Sequence, residues 1–297
     1  MQSRKLIAIL LSSAFIFSVT LTFAKKEEAP IPEHYEQITF TESEDLDPAV
    51  SPDGKTIAFA SDRTGNFDIY FRVLGQAGES QKTFSPKDER HPSWAGDALV
   101  YQSDRTGNWN LFKMNLDGGP GEVQWTSDPG QEKYPSVHPD TGKVLFVQAE
   151  KKGFFLLSRR DRSIMVAEDN PRQASEIAQG LDPRWSPEGS HVVFSSRRTK
   201  NFDIWLVPAD GGAAMQLTTH KKHDESPCFS PDGEKIVFTS ERTGNFDLWV
   251  MNADGSGKMQ LTTYEEDETA PCWGPDGKIY FVLKEGRARN IYAIDAP

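Results

Sequence analysis

A proline-headed segment recurs six times along this chain, and this repetition constrains the fold more than any other feature of the sequence. The spacings between successive copies are 44, 43, 48, 44 and 44 residues, measured through Pro48, Pro92, Pro135, Pro183, Pro227 and Pro271. A period of about 40–50 residues is typical of proteins in which each repeat contributes one small sheet to a shared core. The chain therefore divides into six units, which open near residues 45, 89, 132, 180, 224 and 268.

Each unit is predicted to contain four short strands joined by tight turns. Ser-Pro-Asp-Gly, found at residues 51–54 and 230–233, is a turn sequence because proline presets φ and glycine permits a positive φ. The segments that follow, such as residues 57–60 and 236–238, are apolar and rich in β-branched and aromatic side chains, which favours buried strands. Four strands in a repeat of this length predict the blade of a β-propeller, and an open solenoid or a sandwich fits the pattern less well.

The two ends of the chain predict how the ring closes. The sixth unit ends after its third strand, and a counterpart of the missing fourth strand lies near the N-terminus, where Gln-Ile-Thr at residues 37–39 matches Gln-Leu-Thr at residues 216–218. Pairing of this segment with the last blade would remove a free sheet edge. We therefore expect residues 35–297 to form an all-β, six-bladed β-propeller of four-stranded antiparallel blades, closed by the N-terminal strand.

The first 24 residues have the pattern of an export signal. Arg4 and Lys5 precede a stretch of apolar and small residues that runs to residue 23, and a segment rich in lysine and glutamate follows. This pattern predicts a signal peptide over residues 1–24 and a short linker over residues 25–34, with a membrane anchor as the alternative. We expect a periplasmic or secreted protein that has no membrane span after signal cleavage.

The charge of the chain limits the class of partner. The formal net charge is -11 at pH 7. This argues against nucleic acid, because binding to phosphates depends on Lys and Arg. An acidic surface instead suits a cation or a basic partner. We expect the protein itself to be a monomer.

The two cysteines, Cys228 and Cys272, hold the same position in consecutive units. Exported proteins can form disulfides. Equivalent positions in adjacent blades are nevertheless expected to lie beyond the Cα separation of roughly 7 Å that a disulfide allows. The sequence therefore predicts buried free thiols.

Recurring segments of the units carry a family resemblance. Pro-x-Trp/Phe-Ser-Pro-Asp-Gly leads into Ile-x-Phe-x-Ser-Asp-Arg-x-Gly-Asn-x-Asp-Ile-Tyr, and Asn-x-Asp-Gly then precedes Gln-Leu-Thr, with the best copies at residues 47–70 and 226–262. Together these segments resemble the WD-like repeats of TolB-type propellers over about residues 35–297. The resemblance implies a periplasmic role in an envelope system such as Tol–Pal. That family carries an α/β domain before its propeller, where this chain has only residues 25–34, so functions that depend on that domain are not implied.

Two sets of residues are candidates for a binding site at the mouth of the predicted channel. The residue three positions before the repeat proline is acidic in five of six units, and these residues are Asp45, Glu89, Glu132, Asp224 and Glu268. A ring of carboxylates would focus negative potential and attract a metal ion or a basic peptide, although solvated loop acids are the alternative. The residue directly before the proline varies between units, as expected for recognition of an asymmetric partner, and this set comprises Asp47, His91, Tyr134 and Asp182.

Other recurring side chains are interpreted as structural. The arginines of the second turn, Arg63, Arg105, Arg198 and Arg242, recur so regularly with nearby acids that a network within or between blades is favoured over ligand contact. The large aromatic residues Trp94, Trp185, Phe229 and Trp273 are assigned to the core by the same reasoning.

Catalytic motifs do not occur in the sequence. It contains no Gly-x-Ser-x-Gly, no His-Glu-x-x-His and no Gly-x-x-x-x-Gly-Lys-Ser/Thr. The leading hypothesis is a non-catalytic exported scaffold, without a cofactor, that binds a protein or peptide of the cell envelope through one loop face and the channel mouth. The alternatives are a metal-dependent lyase or hydrolase that acts on an extracellular polymer with a divalent cation in the channel, and a sensor of small molecules or glycans.

Overall fold

The four strands of each repeat pair into one antiparallel sheet, and six such sheets form the fold. The structure is a computed structural model that describes residues 31–117, 121–149 and 162–297. Within these residues each of the six sheets has four strands. The residues assigned to the signal peptide, and most of the linker, lie outside the described part of the chain.

Strand bounds are similar from blade to blade. Strand β1 (Glu36–Gln37) precedes the first blade. Blade one contains β2 (Asp45–Val50), β3 (Thr56–Ser61), β4 (Asp68–Val73) and β5 (Glu79–Gln81). Blade two contains β6 (Glu89–Trp94), β7 (Ala98–Ser103), β8 (Asn110–Asn115) and β9 (Glu122–Gln124). Blade three contains β10 (Gln131–Val137), β11 (Val144–Ala149), β12 (Arg162–Ala167) and β13 (Ser175–Gln179).

The second half of the chain repeats the arrangement. Blade four contains β14 (Leu181–Trp185), β15 (His191–Ser196), β16 (Asp203–Pro208) and β17 (Met215–Gln216). Blade five contains β18 (Asp224–Phe229), β19 (Lys235–Ser240), β20 (Asp247–Asn252) and β21 (Met259–Gln260). Blade six contains β22 (Glu268–Trp273), β23 (Lys278–Glu285) and β24 (Ala288–Asp295).

The innermost strands form a closed ring around a central channel. Each contacts the innermost strand of the next blade, and β22 of the last blade contacts β2 of the first. The predicted all-β, six-bladed propeller is thereby confirmed.

The ring is closed by the N-terminal strand, as the sequence predicts. Strand β1 pairs with β24 in the register Glu36↔Ala293 and Gln37↔Tyr292, so it is the outermost strand of blade six. Ile38, which follows it, is buried in a cluster with Phe59 of blade one and Tyr280 of blade six. The first described segment therefore joins the last blade to the first.

Adjacent blades pack through large apolar side chains on their second and third strands. Between blades four and five, Val193 and Ile204 pack against Ile236 and Phe238, and all four are fully buried. Complete burial of such a side chain contributes about 1.5–3 kcal/mol, so the interfaces between blades hold the ring together.

Residues 171–179 form the outer part of blade three. A single turn of 3-10 helix at Pro171–Gln173 leads directly into the outermost strand β13. None of the described residues belongs to a helix with the length and apolar character that crossing a membrane requires.

A β-bulge interrupts every innermost strand at the same place. In blade one, the pairing register shifts between Leu46 and Ala49, and the other five blades show the equivalent shift. The residue before the repeat proline has a φ between 49° and 56° in all six blades, and these residues are Asp47, His91, Tyr134, Asp182, Ser226 and Ala270. A bulge redirects the side chain that it contains. The side chains at these six positions therefore depart from the alternating directions of the rest of the strand.

Candidate binding face at the channel mouth

The six bulge residues form what we call the channel mouth: Asp47, His91, Tyr134, Asp182, Ser226 and Ala270. Each comes from a different blade, and the side chains of Asp47, His91, Tyr134 and Asp182 interact with one another. Asp47 Oδ1 lies 3.3 Å from Nδ1 of His91, and the ring of His91 lies 4.6 Å from that of Tyr134, centroid to centroid. Asp47 and Asp182, from blades one and four, also interact electrostatically. The mouth therefore brings together residues that are more than 40 positions apart in sequence.

Hydrogen bonds between blades fix the unusual backbone of several mouth residues. The backbone N–H of His91 donates to Asp47 Oδ2 at 3.3 Å, and that of Tyr134 donates to Gln102 Oε1 at 2.9 Å. The N–H of Ser226 donates to Ser195 Oγ at 3.0 Å. In each case the acceptor belongs to the preceding blade. A residue other than glycine at positive φ persists only when its surroundings hold it there, and these bonds do so.

Asp47 is an ionised carboxylate within the mouth. Burial opposes ionisation, but His91 and Arg90 hold the pKa of Asp47 below its usual value. The Nε of Arg90 donates to Asp47 Oδ2 at 3.2 Å. Burial, together with Arg90, Arg184 and Lys133, lowers the pKa of His91 to about 4, against the opposing effect of Asp47. Because His91 is neutral at pH 7, Arg90 supplies the positive charge beside Asp47.

Tyr134 and Asp182 have different ionisation properties. Burial, with a contribution from Asp182, raises the pKa of Tyr134 to about 12, so its hydroxyl stays protonated. Burial, with a contribution from Asp47, raises the pKa of Asp182 to about 6, although Arg184 and Arg162 act in the opposite direction. Asp182 is therefore the mouth carboxyl whose charge changes between about pH 5 and pH 7.

Cations adjoin the mouth, so its charge is mixed. Lys133 lies with its Nζ 4.8 Å from the ring centroid of Trp109, and burial, Arg162 and Arg90 lower its pKa. Arg90 lies over Phe67, with its guanidinium carbon 4.6 Å from the ring centroid. Blades two to four thus surround the mouth acids with positive groups.

The five acids predicted to ring the mouth are buried instead. Asp45, Glu89, Glu132, Asp224 and Glu268 are all 0% exposed. The expectation that these carboxylates face an open mouth is therefore wrong. Each lies at the start of an innermost strand with its side chain enclosed in protein, because the bulge separates its direction from that of the residue two positions later.

Three of these carboxylates pair with the turn arginine of their own blade. Arg63 contacts Asp45 at 3.0 Å, and Arg105 contacts Glu89 at 2.7 Å. Arg242 donates to both oxygens of Asp224, at 2.8 and 2.7 Å. This geometry supports the interpretation of the arginines as a structural network. Buried ion pairs of this kind constrain geometry and leave both charges unavailable to a ligand.

Two carboxylates have neutral hydrogen-bond donors. Thr126 of blade two donates to Glu132 of blade three at 3.2 Å, and Tyr35 donates to Glu268 at 2.6 Å. Burial raises the pKa of each of these glutamates to about 7. The first bond joins blade three to the segment before it and the second joins blade six to the N-terminal segment, so these acids also have structural contacts.

The opposite end of the channel is apolar. A cavity of about 450 Å³ is lined there by residues from all six blades, among them Pro52, Trp94, Trp185, Phe229 and Trp273. The indole N–H of Trp94 donates to the carbonyl of Ala49 at 2.8 Å, and that of Trp185 donates to Ser136 at 3.2 Å. The aromatic residues assigned to the core thus also connect neighbouring blades and surround this cavity.

Sequence reasoning identified four of the six mouth residues and missed Ser226 and Ala270. Both would have been found if the residue before the repeat proline had been taken as a candidate in all six units. It also missed the cations Arg90 and Lys133, which directly precede mouth residues. In the part of the chain that the structure describes, no three or more His, Cys, Asp or Glu residues are grouped so that they could hold a metal ion.

Two curated proteins are similar to parts of this chain. A curated Bacillus subtilis protein named "Uncharacterized peptidase YuxL" is 28% identical over 168 residues, which is 56% of this chain and 24% of that protein. The "Tol-Pal system protein TolB" of Anaeromyxobacter dehalogenans is 28% identical over 122 residues, 40% of this chain and 26% of that protein. The chain thus spans about a quarter of the length of these relatives.

A solved structure and a family model agree with this relationship. The crystal structure of TolB from Acinetobacter baumannii matches with a TM-score of 0.68 and 21% identity, over 80% of this chain and 59% of that one. The model of the TolB beta propeller domain matches residues 33–168 and 163–296, which is nearly all of the described chain. The chain therefore belongs to the TolB β-propeller domain family.

Proposed function

We propose that this chain is an exported, non-catalytic propeller that binds a protein or peptide of the cell envelope through the channel mouth and its surrounding loop face. The observation that carries the proposal is the mouth itself. All six blades hold a residue other than glycine at positive φ in the same place, and these six positions hold five different residue types. A shared backbone with varied side chains provides a rigid scaffold for recognition of an asymmetric surface.

The ionic character of the mouth narrows the kind of partner. Asp47 and Asp182 lie close to Arg90, Lys133 and Arg184, so both signs of charge are present. A partner that offers both an acidic and a basic group fits this arrangement better than the purely basic peptide that the buried acids suggested. His91 and Tyr134 add an aromatic pair of the sort that is enriched in protein interfaces.

An envelope location is supported by family membership and by the pattern of residues 1–24. The curated TolB relatives are named as Tol-Pal system proteins, and the match covers 26% of their length. The basic start and apolar stretch of residues 1–24 favour export. The partner is therefore sought among envelope proteins.

Affinity capture from the native envelope fraction tests the proposal. The bait proteins are the unmodified chain, a mouth variant that carries Tyr134→Ala and Asp182→Ala, and a control variant that carries Asp232→Ala and Asp254→Ala. The control acids lie in turns at the opposite face and belong to blade five. We expect the mouth variant to lose at least about tenfold in partner recovery, as for residues at the centre of an interface.

The control variant separates mouth binding from general loss of charge. It should recover the same proteins as the unmodified chain, since its substitutions remove two acidic charges far from the mouth. Circular dichroism checks that all three proteins are folded. Equal recovery of the same partners by the mouth variant would show that binding uses another surface.

A further inference from the structure

The two cysteines lie side by side in the channel wall. Cys228 in β18 and Cys272 in β22 are the only cysteines of the chain, and each directly follows a repeat proline. The backbone N–H of Trp273, the residue after Cys272, donates to Cys228 Sγ at 3.4 Å. Each thiol affects the ionisation of the other, so the two side chains are neighbours. Both are free thiols, yet the spacing of the blades does not separate their side chains as the sequence suggested.

The structural role of this position does not require sulfur. In blade two the equivalent residue is Ser93, whose Oγ accepts the backbone N–H of Val137 in blade three at 3.0 Å. A hydroxyl thus makes the same bond between neighbouring blades that Cys228 makes. Two adjacent cysteines differ from serines chiefly in their capacity for thiol oxidation.

The environment gives the two thiols unequal reactivity. The hydrogen bond from Cys272, together with the Trp273 N–H and the charge of Arg184, lowers the pKa of Cys228 to about 7, against the effect of burial. The hydrogen bond with Cys228, together with burial, raises the pKa of Cys272. Since the thiolate is the attacking species, Cys228 is the nucleophile and Cys272 the resolving thiol.

Small molecules have a route to the pair. Cys272 lines the cavity of about 450 Å³ at the apolar end of the channel. Both cysteines are partly exposed, and neither belongs to the channel mouth. The pair can therefore be reached from the apolar end of the channel.

We propose that Cys228 and Cys272 form a reversible disulfide that joins blades five and six, with a small disulfide as the oxidant. The Cys228 thiolate attacks one sulfur of the oxidant, forms a mixed disulfide and releases one thiolate. Cys272 then loses its proton, attacks Cys228 Sγ and releases the second thiolate. Two protein thiols are oxidised, one small disulfide is reduced to two thiols, and the released thiolates take up the two protons. The bond restrains neighbouring innermost strands, and a small thiol reverses it.

The test uses cystamine at pH 7 with the full chain, Cys228→Ser and Cys272→Ser. Intact mass and free thiols after denaturation are measured over time. We expect the unmodified chain to lose both thiols without a retained adduct. Cys272→Ser should retain one adduct at Cys228, and Cys228→Ser should react more slowly, because burial still raises the pKa of its remaining thiol.

Two results would overturn the proposal. One is an unmodified chain that carries a separate adduct on each cysteine without an internal bond. The other is an unmodified chain that stays reduced when the denatured chain reacts. Serine can accept the bond between blades, so both variants should fold. If either variant does not fold, alkylation of the unmodified chain tests the proposal, and Cys228 should then be alkylated before Cys272; alkylation of Cys272 first would overturn it.

Discussion

The arginine of the second turn has different partners in different blades, and blades four and five show the contrast. In blade five, Arg242 is 13% exposed and pairs with the fully buried Asp224. In blade four the acidic position is Gly180, where an added Cβ would lie 2.5 Å from both the Phe194 ring and the Ser195 carbonyl oxygen. Arg198 there donates to the carbonyl of Gln179 at 3.0 Å. The two arginines otherwise match, since each donates its Nε to a serine and lies over a tryptophan.

The replacements Arg242→Ala and Arg198→Ala should therefore have unequal effects. Arg242→Ala leaves Asp224 buried without its cation, which should lower the free energy of unfolding by about 3–5 kcal/mol. Arg198→Ala removes mainly the contact with Trp205, which should lower it by about 1 kcal/mol. Urea denaturation at pH 7 measures both. Equal losses would mean that the ion pair does not stabilise blade five, and Asp224→Ala combined with Arg242→Ala should recover part of the larger loss.

The innermost strand is the element that carries the residues of the proposed binding site. Its bulge places one residue per blade at positive φ, and in five of the six blades a buried carboxylate lies two positions earlier. A side chain at such a φ costs of order 1 kcal/mol or more relative to glycine. Glycine would avoid this strain, yet none of the six positions holds glycine. This fits a requirement for side chains at the mouth.

Glycine substitution within the strand measures this cost. Ala270→Gly, at a φ of 50°, should raise the free energy of unfolding by about 0.5–1 kcal/mol because glycine adopts this conformation without steric strain. Ala49→Gly is the matched control, since Ala49 lies in an innermost strand outside the positive-φ set. It should lower stability by about 0.5–1 kcal/mol, through greater chain entropy in the unfolded state. Destabilisation by both substitutions to the same extent would contradict a strained bulge.

The whole ring depends on a contact between the two ends of the described chain. Tyr35 donates to Glu268 and packs edge-on against Phe281 at 5.4 Å between ring centroids. Thr39 Oγ1 accepts the backbone N–H of Ile291 at 2.9 Å, and Thr41 donates to Asp45 of blade one at 3.1 Å. Without this segment, β24 would have an unpaired edge, and blades one and six would lose a shared core residue, Ile38.

Truncation tests the closure. A chain that starts at Glu42 should lose at least about 4 kcal/mol of stability, because burial of Tyr35 and Ile38 is lost together with the pairing of β1. It should also associate through the edge of β24. A chain that starts at Ile31 is the control and should keep the stability of the ring. Thermal unfolding and size-exclusion chromatography distinguish the two, and identical behaviour would show that closure does not stabilise the propeller.

Repetition and turn chemistry in the sequence determined the number of blades, the position of their strands and the closing role of the N-terminus. These features are local, since a Pro-Asp-Gly turn or a β-branched strand has much the same structure in every copy. The same comparison assigned Arg63, Arg105 and Arg242 to a structural network, and each of them pairs with a buried acid of its own blade.

The direction of side chains around the channel was decided only by the tertiary structure. In a regular strand, Asp45 and Asp47 would face the same side, since side chains alternate with a period of two. The bulge breaks that alternation, so Asp45 is buried beside Arg63 and Asp47 meets His91 of the next blade. The approach of Cys228 to Cys272 likewise depends on how closely two innermost strands converge near the ring axis, which no local pattern encodes.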